Sequence, residues 1–152
     1  MLDIKEIIAI IGIVATIPTL YMAVSEYIKR GKKERAEFFL KLRDRFKGNE
    51  KFMTIQKLIE EDKNEDLKKL PTQDKNDLIG MFEEIYLLSG NGTISKQIIF
   101  YMFGQYALDC YDNKVMQEQL NLEKAPYWQQ FRNFCKEVEA WKNNGSTVEF
   151  KL

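Results

Sequence analysis

"IIAIIGIVATIPTLYMAVSEYIKRGKKER", residues 7–35, decides how the rest of the chain is read. The 18 residues from Ile7 to Val24 carry no charge, and five of the seven from Lys29 to Arg35 are basic. As a helix rising ~1.5 Å per residue, the uncharged run is about 27 Å long, close to the ~30 Å hydrocarbon core of a bilayer. A helix lying on a soluble core shows polar residues every third or fourth position, whereas this run is apolar on every face. Thr16, Thr19 and the Tyr21 hydroxyl are its polar groups. Threonine hydroxyls bond the carbonyl one turn back, so lipid tolerates them. Pro18 kinks a helix, which membrane spans accept. Tyr21 and Tyr27 lie near the polar end, where amphipathic aromatics favour the interface.

A secretion signal places its basic residues before a shorter apolar run. Here the start, Met1 to Glu6, sets Asp3 and Glu6 beside Lys5, and the basic cluster comes after the run. The pattern predicts a single-pass transmembrane helix. Basic residues mark the cytoplasmic flank. The expected topology is therefore that of a bacterial inner-membrane protein with its N-terminus outside and the remainder in the cytoplasm. Lys29, Arg30, Lys32, Lys33 and Arg35 flank the membrane, and the lipid bilayer is the expected partner. Gly12, Ala15, Thr16, Thr19 and Ala23 add small-residue spacings that let helices approach closely.

Beyond this junction the charge balance changes. Residues 36–152 hold 17 basic and 19 acidic side chains, which argues against a nucleic-acid binder needing a basic face. The chain contains no histidine. That removes the usual general base and the commonest metal ligand. Two cysteines, Cys110 and Cys135, are too few for a disulfide framework or a zinc site of standard spacing and sit in apolar stretches. Phosphate-loop, HExxH and CxxC patterns are absent from the sequence. No cofactor and no metal is expected.

Helical periodicity organises the chain from residue 34 onward. "ERAEFFLKLRDRFKG" (34–48) places Ala36, Phe39, Leu40, Arg43 and Phe46 on one face and stops at Gly48-Asn49. Asn49 is a candidate N-cap for a helix with Phe52, Ile55, Leu58 and Ile59 inward. Residues 62–73 are polar and hold Pro71, the pattern of a loop with a partial helical turn. Thr72 is a candidate cap for a helix burying Leu78, Ile79, Phe82, Ile85, Tyr86 and Leu88, and Gly90–Gly92 is a turn. "TISKQIIFYMFGQYALDCYDN" (93–113) is the most apolar soluble segment, so it is expected at the centre. Residues 113–124 are read as short or partly helical. Pro126 opens a last helix with Tyr127, Phe131, Phe134, Val138 and Trp141 at inward spacing, ended by Asn144-Gly145. The tail alternates polar and apolar residues, with Val148 and Phe150 able to dock. The expectation is an all-α chain, with an N-terminal transmembrane helix followed by a four- to five-helix cytoplasmic bundle. Its parts are residues 1–35 (anchor and basic junction), 36–143 (helical domain) and 144–152 (tail).

Glu83 and Glu84 interrupt an apolar face, so one of them borders the core and needs a partner. Arg43 and Arg132 also interrupt apolar faces, and Arg45 is close by. A buried ion pair between helices is expected, worth ~3–5 kcal/mol if one partner is removed. Asp109 and Asp112 form a small acidic edge beside Lys114. Glu60 to Asp66 is an acidic run without the spacing of a calcium loop.

"FFLKLRDRF", "LIGMFEEIYLLSGNGTIS" and "YWQQFRNFC", set behind a span and a basic junction, resemble a broad group of small bacterial membrane-anchored helical proteins of unknown function. Phe82-Glu83-Glu84 followed by Gly90-Asn91-Gly92 carries the resemblance, which implies fold and topology and no activity. With the aromatic residues Tyr111, Tyr127, Trp128 and Phe150 at the tips, the functional expectation is a non-enzymatic module that binds a protein partner or itself. The alternative is an oligomeric permeabilising effector whose span lines a pore. An enzyme would have to use Glu84, Asp109 or Cys110.

Overall fold

The computed structural model describes residues 4–90, 92 and 94–145, with side chains except at residues 4–20, 24 and 27. The described residues form helices and turns and no strand. The chain divides into two compact units, Met1–Phe38 and Phe39–Lys151.

Helix α1, Ile4–Lys47, supplies the described part of the first unit and opens the second. Gly31 does not interrupt it. Tyr21, Met22 and Ile28 are exposed, at 75%, 64% and 50%. Among the described residues, no helix is long and apolar enough to cross a membrane. The span expected over Ile7–Val24 falls largely on residues whose side chains lie outside the description, 21–23 being the exception.

In the second unit the closing turns of α1 bury Leu42 and Phe46 and pack Phe39 against them. A Cβ on Gly48 would sit 2.7 Å from the Asp44 carbonyl oxygen, so only glycine fits where the helix ends. One residue later Asn49 caps α2 (Glu50–Glu60), its Oδ1 accepting from the Lys51 and Phe52 amides at 3.0 and 3.3 Å. Of the four inward positions expected on α2, Phe52 and Ile55 are buried and Leu58 and Ile59 are half-buried. The polar stretch after α2 holds a six-residue helix, α3 (Asn64–Lys69), with Leu67 fully buried.

Helix α4 runs Thr72–Gly90. Thr72 is its first helical residue rather than its cap, because the Asp74 amide already bonds the Pro71 carbonyl. Leu78, Ile79, Phe82 and Ile85 are fully buried as spaced, while Tyr86 and Leu88 are half-buried. Helix α5 (Lys96–Asp112) packs against α2, α4, α7 and the short α6 (Lys114–Leu120), the central position its composition predicts. Asn113 caps α6 as Asn49 caps α2, accepting from the Val115 and Met116 amides. Asn121 ends α6 in the left-handed region, which asparagine enters more readily than most residues.

Pro126–Trp128 form one 3₁₀ turn before α7 (Gln129–Asn143). This turn corrects two expectations. Tyr127 is 66% exposed, and Trp128 is buried, its indole N–H donating to the Leu120 carbonyl at 3.1 Å. The tighter turn swaps which of the two neighbouring aromatics faces the core. Val148 and Phe150, expected to dock, lie outside the described residues.

Candidate functional site

The expected ion pair takes a different form. Arg45, in the last turn of α1, donates through Nη1 to both carboxylate oxygens of Glu84 on α4, at 2.9 Å each. The two side chains are about half exposed, so the expectation of a buried pair is corrected. Glu84 lies one position away from the face formed by Phe82 and Ile85, on the solvent side. Exposed pairs contribute at most about 1 kcal/mol, well below the cost expected for a buried one.

Glu83, half-buried, has another role. Its Oε1 accepts the Phe131 backbone N–H at 3.0 Å. Helix α7 has Trp128 at its cap position and no side-chain cap of its own. The first amides of a helix lack internal acceptors and favour negative charge. Glu83 supplies both from the facing helix. Among the described residues Arg132 is likewise not paired with a glutamate. Its guanidinium donates to the Leu122 and Ala125 carbonyls at 2.8 and 2.7 Å and to Gln129 Oε1 at 3.0 Å. It clamps the loop between α6 and α7, where the Ala125 carbonyl also accepts the Trp128 N–H at 3.2 Å. Arg43 is exposed. Among the described residues neither Arg43 nor Arg132 forms an ion pair with Glu83 or Glu84.

Two polar features had no sequence signal. Lys75, in the first turns of α4, is fully buried. Its Nζ donates to the Leu70 carbonyl at 2.8 Å and Gln119 Oε1 at 2.6 Å, which ties the α3–α4 connection to α6. Burial lowers its pKa from the ordinary lysine value, partly opposed by Asp74. Its charge therefore costs stability at all pH values below the lowered folded value. That cost is relieved as pH rises from there toward the ordinary value of about 10.4. Tyr86, Lys96 and Glu137 join α4, α5 and α7: the Tyr86 hydroxyl donates to Glu137 Oε1 at 2.7 Å and Lys96 to Oε2 at 2.8 Å. Burial, reinforced by Glu137, pushes the Tyr86 phenol up to about 12. Burial opposes the charge of Glu137, but its bonds from Lys96 and Tyr86 outweigh this and hold its carboxyl below the usual range.

Glu84, Asp109 and Cys110, the alternative residues an enzyme would use, lie in different surroundings. Glu84 lines a cleft of about 510 Å³ with Arg45, Lys51, Asn76 and Asp77. Asp109 lines a separate one of about 360 Å³ with Glu60 and Asp112. Cys110 is fully buried beside Gln56, and burial pushes its thiol up and disfavours the thiolate. No three acidic or cysteine side chains among the described residues are placed to hold a metal ion. Of the aromatic tips among the described residues, Tyr127 is exposed, Tyr111 half-buried and Trp128 buried; Phe150 lies outside the described residues.

The five basic residues after the uncharged run, Lys29, Arg30, Lys32, Lys33 and Arg35, are all exposed. Lys33 makes a 3.7 Å ion pair with Glu37 one turn on. Comparison with known proteins finds no matching family model, no matching curated protein and no matching solved structure.

Proposed function

We propose that this chain is a membrane-anchored helical interaction module, with the run Ile7–Val24 as a single inner-membrane span and the second unit presented in the bacterial cytoplasm to a protein partner or to further copies of itself. The observation that carries this reading is that Tyr21, Met22 and Ile28, at and after the end of the uncharged run, stay exposed in the folded chain and are followed at once by five exposed basic residues. An apolar surface bounded by cations matches the boundary between hydrocarbon and headgroups. The pattern-level resemblance to small bacterial membrane-anchored proteins points the same way. So does a second unit whose candidate catalytic groups are spread over separate clefts or buried.

Crosslinking in native membranes followed by mass measurement tests the proposal. A discrete adduct with a different protein, lost when residues 7–24 are replaced by a polar linker, is the expected result. A ladder of self-adducts accompanied by growth arrest on expression supports the pore-forming alternative instead, which rests on Gly12, Ala15, Thr16 and Thr19. An uncrosslinked monomer overturns both, and a C-terminal reporter active only outside the cell overturns the topology.

A further inference from the structure

We propose that the face of α1 carrying Tyr21, Ile28, Lys29, Lys32 and Arg35 is a docking surface for anionic lipid headgroups; this rests on the membrane-anchored reading and names the lipid class that reading leaves open. The charges of this segment are segregated. Glu26, Arg30, Glu34 and Glu37 recur at helical spacing and share one face. Lys33 lies toward that side and is held by Glu37 at 3.7 Å. Tyr21, Ser25, Ile28, Lys32 and Arg35, spaced by four, three, four and three, lie on the opposite face with Lys29 at its shoulder. That face contains no acid. Lys29, Lys32 and Arg35 are exposed, and among the described residues none has an ion-pair partner.

The order of groups along this face fits a bilayer surface. Tyr21 and Ile28, 75% and 50% exposed, lie nearer the uncharged run, and the three cations lie beyond Ile28. Tyrosine favours headgroup depth, and long basic side chains keep their stems on apolar surface while their ends reach phosphate. A second copy docking parallel on the same face would set Lys32 and Arg35 against their own counterparts, and like charges brought together oppose such a dimer. An anionic lipid surface has the complementary sign and attracts basic residues placed next to a span.

The test uses the full-length chain reconstituted into vesicles of four parts phosphatidylcholine to one part phosphatidylglycerol, extracted in mild detergent and weighed by native mass spectrometry. Phosphatidylglycerol adducts are expected several-fold above the mixing ratio. In the triple variant Lys29→Gln, Lys32→Gln, Arg35→Gln they should fall to that ratio. The variant Lys114→Gln, Lys124→Gln, Lys136→Gln, which removes three exposed cations of the second unit, should retain them. Equal adducts in the unaltered chain, or a preference that survives the triple change, overturns the inference. Resistance to carbonate extraction from pure phosphatidylcholine vesicles reads the anchor separately. If the chain fails to insert there, the anchored reading falls. The headgroup surface is then judged by salt-sensitive flotation with the mixed vesicles, which the triple variant must lose.

Discussion

Replacing Phe46 by alanine should destabilise the second unit by about 3–5 kcal/mol, the usual cost of emptying a fully packed phenylalanine site. Phe46 is fully buried in the last turn of α1. Its ring meets Phe52 of α2 at 6.3 Å, Phe82 of α4 at 5.7 Å, and Phe103 and Tyr106 of α5 at 5.5 and 5.2 Å between centroids, the Phe103 contact edge-on. One side chain thus joins four helices, and no neighbour can move into the space without leaving another. Denaturant unfolding should show a lowered midpoint with little change in slope. Leu87→Ala, at a 55% exposed site of α4, should stay within about 0.5 kcal/mol of the unaltered chain. Loss of less than about 1 kcal/mol for Phe46→Ala would mean that this aromatic junction is not what holds the helices together.

The second large effect is expected at Gly104, where adding one carbon forces two helices apart. A Cβ there would lie 2.7 Å from Cγ1 and 3.2 Å from Cγ2 of Val138 on α7. Val138 is fully buried and, being β-branched, has little freedom to turn away. In an open helix, glycine to alanine is worth up to about 1 kcal/mol in favour of folding. Here overpacking of about 1–3 kcal/mol opposes and exceeds that gain. Gly104→Ala should therefore lower stability. Combining it with Val138→Ala should cost less than the two single changes added together, by about 0.5–3 kcal/mol. Strict additivity in that double-mutant cycle would remove the case for direct contact between α5 and α7 at this point.

The apolar periodicity made the helices legible, because a helix that covers a core must repeat its buried side chains every three or four residues. Asn49 and Gly48 were legible for a similar reason: an orphaned amide and a tight stop each admit few residue types. Asn113 carries the same capping signal, but its helix is only seven residues long, too short for periodicity to separate it from a loop. The charged positions were much less legible. That one of Glu83 and Glu84 borders the core is clear from their spacing, but which of them turns inward depends on where α7 lands. The Phe131 amide that Glu83 accepts is 48 residues away. A signal was nonetheless present: α7 begins at Trp128 and Gln129, neither a capping residue, so its amides required an acceptor from elsewhere. Arg132 reads as a partner for a carboxylate because arginine so often is one. Here the Leu122 and Ala125 carbonyls of the loop just before its own helix take it first. Lys75 left no trace, since a lysine among polar neighbours gives no hint that its acceptors will be a carbonyl five residues back and a glutamine 44 residues on.

The two cysteines make the second unit its own reporter of motion. Cys110 and Cys135 are both free and buried, and Cys135 donates to the Ala107 carbonyl at 3.7 Å. Attack on a disulfide reagent requires the thiolate, and burial pushes both thiols away from that form. Labelling of the folded chain must then wait for an excursion that exposes them. When reclosing outpaces reaction, the labelling rate reports the population of the open form; at high reagent concentration it levels off at the rate of opening. Because Cys110 is on α5 and Cys135 on α7, equal rates at the two sites would mark a bundle that opens as one cooperative body. A faster Cys135 would show the last helix peeling away alone.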